Sequence, residues 1–287
     1  VPRQAYVNGR FVPHRAASVH IEDRGYQFSD GIYEVVPVYK GIVVDEDLHL
    51  DRLDRSLGEL RIDRPCSRPA LKILTRELIR RNGLTNGLVY MQVTRGVAPR
   101  DHKFPKGAKP ALVMTTRQVK PHSEAMLNEG LKVITIPDQR WARRDIKSIS
   151  LLPNVLGKQA AAEAGAYEAW QLDADGMVTE GTSSNAWIVT DDNKVITRAA
   201  SHAILNGITR ISLIKLIEAN GYRFEERAFS VAEAKAAREA FLTSSSSFVL
   251  PVTQIDEVAI GNGHAGLLTG KIRTHYMDYM ESLGAAS

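Results

Sequence analysis

Residues 143–154 read RRDIKSISLLPN, and the reading of one amine in that run decides the fold. Arg143, Arg144 and Asp145 precede Lys147, while Ile149, Leu151 and Leu152 follow it. An ammonium at such a boundary is either an ordinary solvated residue or a reactive amine set against a dry wall. Burial against apolar side chains and nearby positive charge both disfavour the charged form of an amine, as a nucleophilic lysine requires. The solvated lysine is the ordinary alternative. Lys158, in the helical run GKQAAAEAG, reads as one.

Outward from this run, strands and helices mix in both halves of the chain. AYVNGRFVP reads as a hairpin around Asn8-Gly9, and YEVVPVYKGIVVD as a second around Lys40-Gly41. Leu50, Leu53, Leu57 and Leu60 then recur at helical spacing. RPALKILTRELIRRNG is a second amphipathic helix with a glycine stop, and GLVYMQVTRG and PALVMTTR return to strands. The polar run RQVKPHSE, residues 117–124, reads as a linker, which divides the chain into a small domain over 1–118, a linker over 119–124 and a larger domain over 125–287. In the larger part, LKVITIP is a strand and NVLGKQAAAEAG a helix. YEAWQLD and SNAWIVTD are strands separated by a turn at Asp175-Gly176. TRISLIKLIEANG is a helix, AREAFLTSSSSFVLPVTQID is strand-rich, and GLLTGKIRTHYMDYMESLG is a terminal helix. The class this implies is α+β.

Composition narrows the functions. At 287 residues, 44% hydrophobic and 24% charged, the chain resembles a soluble globular protein. The net charge of +4 is spread along the chain, with no basic block or aromatic-basic stripe suited to nucleic acid. The single cysteine, Cys66, excludes an intrachain disulfide framework and suits a reducing cytoplasm. No run approaches the ~20 apolar residues that span a membrane. VPRQAYVNGRFVP lacks the apolar core of a signal peptide, so a cytoplasmic location is the expectation.

Several clusters could carry chemistry. LNGITRISLIKLI places Gly207, Ile208 and Thr209 at a helix start, where free N–H groups and the dipole can hold a phosphate; alternatively Thr209 is only an N-cap. TSSSSF, residues 243–248, offers hydroxyls and amides at a strand end, or is simply a polar loop. VTEGTSSNAW, residues 178–187, is a third small-hydroxyl cluster and carries an acid, Glu180. Arg100 and His102 in PRDHKFP are either a solvated cluster or a carboxylate clamp. GNGHAG matches G-x-G-x-x-G but lacks the βαβ context, so it reads as a loop before the last helix. The histidines form no zinc motif, and no G-x-S-x-G elbow is present.

In order and spacing, DRGYQFSDGIYEVVPVYKG, LDRLDRS, TRGVAPRDHKFP, DIKSISLLPNVLGKQAA, VTEGTSSNAW, NGITR and TSSSS resemble the D-amino acid aminotransferase branch of the class IV aminotransferases, the fold-type IV pyridoxal-phosphate enzymes. The resemblance implies a small N-terminal α/β domain, a larger C-terminal domain and an active site between them. It implies pyridoxal 5′-phosphate as cofactor. Lys147 matches the Schiff-base lysine, and Glu180 the acid facing the pyridine nitrogen. Arg52, Ile208 and Thr209 match the phosphate contacts, with Ser244 and Ser245 as helpers. Tyr33, Arg100 and His102 match the groups that gather the substrate carboxylate, the Arg/His loop coming from a partner subunit, so a homodimer is implied. Val35, Ser183, Ser246 and Leu205 are expected to line the side-chain pocket. No metal, nucleic acid or membrane is expected to take part.

The implied activity is transamination of D-amino acids with 2-oxoglutarate or pyruvate as acceptor. On the same fold, branched-chain L-amino acid aminotransferase, 4-amino-4-deoxychorismate lyase and (R)-amine transaminase remain open. A catalytically silent binding protein is the alternative from another class, against which Lys147, Glu180 and Arg52 argue. Handedness, amino-acid preference, acceptor and any assembly beyond a dimer do not follow from the residues.

Overall fold

Asn8 and Gly9 adopt φ of 45° and 93°, and Lys40 and Gly41 adopt 50° and 82°. Paired positive φ is what two-residue hairpins require for their twist to match that of the flanking strands. Both hairpins are present in the computed structural model, which describes residues 3–285. The chain divides into two compact units, one running to Lys120 and including Ile146–Ser150, the other comprising Pro121–Asp145 and the chain from Leu151 onward.

The first unit contains β1 (Gln4–Val7), β2 (Arg10–Pro13), α1 (Arg24–Phe28), β3 (Gly31–Tyr39), β4 (Ile42–Val43), α2 (Glu46–Leu60), α3 (Arg68–Asn82), β5 (Gly87–Thr94) and β6 (Ala111–Gln118). Its strands form a six-stranded sheet in the order β2-β1-β6-β5-β3-β4, antiparallel throughout. Leu50, Leu53 and Leu57 of α2 and Leu71 and Leu78 of α3 pack with Ile32, Val36, Val38, Val89, Met91 and Met114 of the sheet. Helix α3 starts at Ser67, whose Oγ accepts from the Ala70 N–H, and ends at Gly83 with φ of 56°. Strand periodicity puts Tyr33 and Val35 on the other face from Ile32 and Val36, opposite Gln92 and Tyr90 of β5.

Residues 147–149 extend this sheet. The Tyr33 N–H donates to the Lys147 carbonyl at 3.0 Å and the Ile149 N–H to the Gly31 carbonyl at 3.1 Å, with Ser148 opposite Ile32. They occupy the edge of β3 that the short β4, paired only with Val38 and Tyr39, leaves uncovered.

The second unit contains α4 (Glu124–Glu129), β7 (Leu131–Pro137), α5 (Leu152–Glu163), β8 (Glu168–Leu172), β9 (Val178–Gly181), β10 (Asn185–Val189), β11 (Val195–Thr197), α6 (Ile208–Ala219), β12 (Phe224–Glu226), α7 (Val231–Lys235), β13 (Glu239–Ser244), β14 (Phe248–Ile255), β15 (Val258–Ala259) and α8 (Leu267–Ala285). Its nine-stranded sheet runs β12-β11-β10-β13-β14-β7-β8-β9, with β15 on β14. Pairing is parallel at β11–β12, β14–β7 and β7–β8 and antiparallel elsewhere. Trp170, Ile188, Phe229, Leu242, Leu250 and Val252 form much of its core.

Two local readings change. Ser123, inside the polar run 117–124, caps α4 by accepting from the Met126 N–H at 3.2 Å. The Asp175-Gly176 turn does not lead straight to β10: VTEG forms its own strand, β9, paired with β8 through Trp170–Gly181 and Leu172–Val178. Four buried residues that include a threonine and a glutamate show no apolar alternation, so only the pairing reveals the strand.

Candidate active site

Lys147 is anchored by its backbone. Besides its carbonyl bond to Tyr33, its N–H donates to Ser56 Oγ at 3.4 Å. Its half-buried side chain places Nζ 4.0 Å from the centroid of the Tyr33 ring. Among the described residues no carboxylate forms an ion pair with it. The amine is therefore held by an aromatic face and a fixed backbone, without a fixed anion to commit it to a structural bridge. Lys158 differs: its ammonium is directed to the Tyr167 carbonyl and lies 3.5 Å from Glu168, with 46% of the side chain exposed.

Arg52 is buried on α2 and forks onto Glu34 of β3, Nε to Oε1 and Nη2 to Oε2, each at 2.8 Å. His49 Nδ1 lies 2.8 Å from the same Oε2. Burial alone would raise the Glu34 carboxyl, but the Arg52 charge and hydrogen bonds, joined by His49, hold it far below the ordinary carboxylate range. Burial lowers the His49 imidazole, against the pull of Glu34. Sequence reasoning missed Glu34 and His49. The signal was present: Glu34 occupies a core-facing register position between Ile32 and Val36, and His49 and Arg52 are spaced i, i+3 on the helix covering it.

Arg100 and His102 are exposed on one loop and meet at Phe28, with Arg100 Cζ 4.5 Å from the Phe28 centroid and the His102 ring centred 5.3 Å away. Arg24, also missed, stacks on that ring at 4.8 Å, bonds Asp30 at 2.8 Å and donates to the carbonyls of Asp101 and His102. Tyr33 stacks on Tyr90 at 5.7 Å, and Val35 follows it on the same face. Among the described residues of this one chain, neither Arg100 nor His102 hydrogen-bonds to Tyr33.

In the second unit, Glu180 is buried on β9. It accepts from Arg140 Nη1, from the Leu205 N–H at 3.0 Å and from Asn185 Nδ2 at 3.1 Å. Arg140 also forks onto Asp138 at 2.9 and 2.7 Å, and Asp138 accepts from Thr179 at 2.8 Å with Arg144 Nε 3.0 Å away. Burial pushes the Glu180 carboxyl above its ordinary value, and Arg140 and the Leu205 N–H pull against it. For Arg140, burial favours the neutral form, but Asp138 and Glu180 outweigh it and keep the guanidinium protonated. Sequence reading did not pick out Arg140, which lies 40 residues from Glu180.

Helix α6 begins at Ile208, with Gly207 as an N-cap that has no side-chain hydrogen bond. Thr209 is thus inside the first turn and is not the cap. Ile208 and Thr209 are buried, and the first-turn N–H groups of a helix, which lack intrahelical partners, are the groups that can hold an anion. The serine run forms the β13–β14 turn, where Ser244 Oγ lies 3.2 Å from Ser246 Oγ and accepts from the Ser247 N–H at 3.1 Å; Ser245 is half-buried between them. The Ser183 hydroxyl donates to buried Glu168 at 2.8 Å, as that of Ser184 does at 3.2 Å and that of Thr182 more closely.

The donors of each unit fit part of the implied cofactor. In the second unit a helix start and a serine turn suit a phosphate and a buried carboxylate suits a protonated ring nitrogen; in the first, the Lys147 amine suits an aldehyde. Among the described residues no cluster of His, Cys, Asp and Glu could hold a metal ion, and no helix is long and apolar enough to cross a membrane.

Comparison with known proteins agrees with this chemistry. The family model described as amino-transferase class IV matches residues 31–255. A D-alanine aminotransferase of Bacillus licheniformis is 45% identical over 268 residues, covering 93% of each chain. A D-alanine aminotransferase of Staphylococcus epidermidis is 38% identical over 281 residues, covering 97% of this chain and 98% of its own. Among solved structures, a branched-chain amino acid aminotransferase of Escherichia coli superposes with a TM-score of 0.89 at 22% identity, over 97% of this chain and 94% of that one. At that identity it speaks to the fold alone.

Proposed function

The chain belongs to the class IV aminotransferases, and from that premise we propose that it transfers the amino group of D-amino acids to 2-oxo acids, with 2-oxoglutarate or pyruvate as acceptor, using pyridoxal 5′-phosphate. The observation that carries this reading is the 45% identity to a D-alanine aminotransferase over 93% of both chains. The isolated amine of Lys147 and the buried acid Glu180 supply the chemistry it needs.

When bound, pyridoxal 5′-phosphate supplies an electron-accepting ring and an aldehyde carbon that exchanges amino groups. Lys147 would hold that carbon and, as a free amine, would take up the proton lost from the substrate Cα on its Nζ. Glu180, braced by Arg140, Asn185 and the Leu205 N–H, holds a proton on the ring nitrogen. Arg52, the first turn of α6 at Ile208 and Thr209, and Ser244 and Ser245 hold the phosphate. Glu34 keeps the Arg52 guanidinium in one plane.

Tyr33 orients the substrate carboxylate, together with Arg100 and His102 supplied by a second copy of the chain. Val35, Ser183 and Ser246 border the side-chain pocket, with Ser183 held in place by Glu168, which accepts from both its hydroxyl and its N–H. Exposed apolar side chains support a homodimer. Leu152, Val155 and Leu156 line one face of α5, and Ile21, Tyr26 and Val97 are exposed in the first unit.

A half-reaction panel tests the proposal. Cofactor-loaded protein is mixed with D-alanine, L-leucine and simple amines, and the rate of spectral conversion is compared. D-alanine should convert fastest; faster conversion by L-leucine would move the chain to the branched-chain branch, and by a simple amine to the (R)-amine branch. Lys147→Ala should lose both turnover and the cofactor's bound absorbance, and a variant near normal in both would refute the lysine's role.

A further inference from the structure

Asn185 opens β10, immediately after the turn that follows β9, and its side chain is buried. Its Nδ2 donates to Glu180 Oε2 at 3.1 Å and to the Leu205 carbonyl at 3.0 Å. The Leu205 N–H donates back to Glu180 Oε1 at 3.0 Å. Asn185 and the Leu205 residue therefore close a ring on both oxygens of one carboxylate.

The other side of the amide faces Gly207. A Cβ built on Gly207 would lie 2.2 Å from Asn185 Oδ1, closer than atoms can approach. Gly207 has an ordinary φ of −64°, so backbone freedom does not explain the glycine. The Asn185 amide fills the space a side chain would need. Because Gly207 caps α6, this amide touches the carboxylate on one side and the helix start on the other.

We infer that Asn185 is a positioning residue that sets the spacing between Glu180 and the first turn of α6, making them one template for the two ends of the cofactor. The inference rests on the reading of Glu180, Ile208 and Thr209 given under the proposed function. The ring nitrogen and the phosphate sit at a fixed separation on a rigid ligand, whereas Glu180 on β9 and Ile208 on α6 lie on separate elements with β10 and β11 between them in the chain. Without Asn185 each end can still be bound, but the two are no longer held in register, and the gain from preorganisation is lost.

Binding to apo-protein tests this with two probes: pyridoxamine 5′-phosphate, which engages both ends without a covalent bond, and inorganic phosphate, which engages one. Asn185→Ala should weaken pyridoxamine 5′-phosphate on the order of tenfold or more, the scale for losing a hydrogen bond to a charged group. Phosphate should change less than about twofold, since a single subsite needs no register. Gly207→Ala should give the same pattern by evicting the amide, and it supplies the readout should Asn185→Ala fail to fold. In the double variant the Gly207→Ala effect should vanish, because its clash partner is gone. Equal weakening of both probes, parent-like binding of pyridoxamine 5′-phosphate, or additive single effects would each overturn the inference while leaving the cofactor reading intact. A parent protein that binds no pyridoxamine 5′-phosphate would overturn both, before any variant is compared.

Discussion

Replacing Glu34 by glutamine strips the charge from the centre of a buried network while leaving its shape. The parent carboxylate receives two 2.8 Å bonds from Arg52 and faces His49 at 2.8 Å, with Glu34 1% and Arg52 8% exposed. In Glu34→Gln the guanidinium stays buried without its counter-charge, and the new amide group turns donors toward donors. Removing one partner of such a pair costs roughly 3–5 kcal/mol. At about 2–4 °C per kcal/mol, the melting temperature should fall by about 6–20 °C. Calorimetry on the apo-protein is the assay, because cofactor binding would otherwise add its own stabilisation. Glu34→Leu combined with Arg52→Met, which removes both charges, should recover most of the loss. The pH dependence has a definite sign. Glu34 titrates far below its ordinary value of 4.5, so its contribution is complete above that value and drains away as pH falls below it. The gap between parent and Glu34→Gln should therefore narrow in acid. A loss under about 1 kcal/mol, a double variant no better than the single, or a gap that widens in acid would refute the reasoning.

In Arg140→Met the guanidinium no longer opposes burial, so the Glu180 carboxyl should rise further above 4.5 and apo-protein stability should fall as pH climbs through that raised value; a melting profile parallel to the parent's contradicts this. Gly96 has φ of 93° and a built Cβ 1.9 Å from the Lys109 carbonyl, so Gly96→Ala should cost on the order of 3 kcal/mol and raise KM for the amino acid by shifting the loop that bears Arg100 and His102. Leu156→Glu, on the exposed face of α5, should shift sedimentation toward monomer and lower activity with it; parent-like sedimentation removes α5 from the interface.

Local chemistry was legible along the chain. The Asn8-Gly9 and Lys40-Gly41 hairpins, the leucine stripe of α2, the glycine stop of α3 and the glycine before α6 all depend on neighbours within a turn of one another, and such spacings are visible in a string of letters. The residue types of the site were also legible: a lysine at a polar-to-apolar boundary, an acid among small hydroxyls, and a serine run at a strand end. The family resemblance, carried by those same segments in order, pointed to the class IV aminotransferases. What tertiary structure alone decided is which of these groups act together. It bound Lys147 to β3 and Ser56, 91 residues away, gave both Arg52 and His49 to Glu34, set Arg140 against Glu180, and turned the Ser183 hydroxyl to Glu168. Periodicity records only which face of an element a residue shares. A contact between distant elements arises when burial forces each polar group to find a partner, and that choice is made in three dimensions.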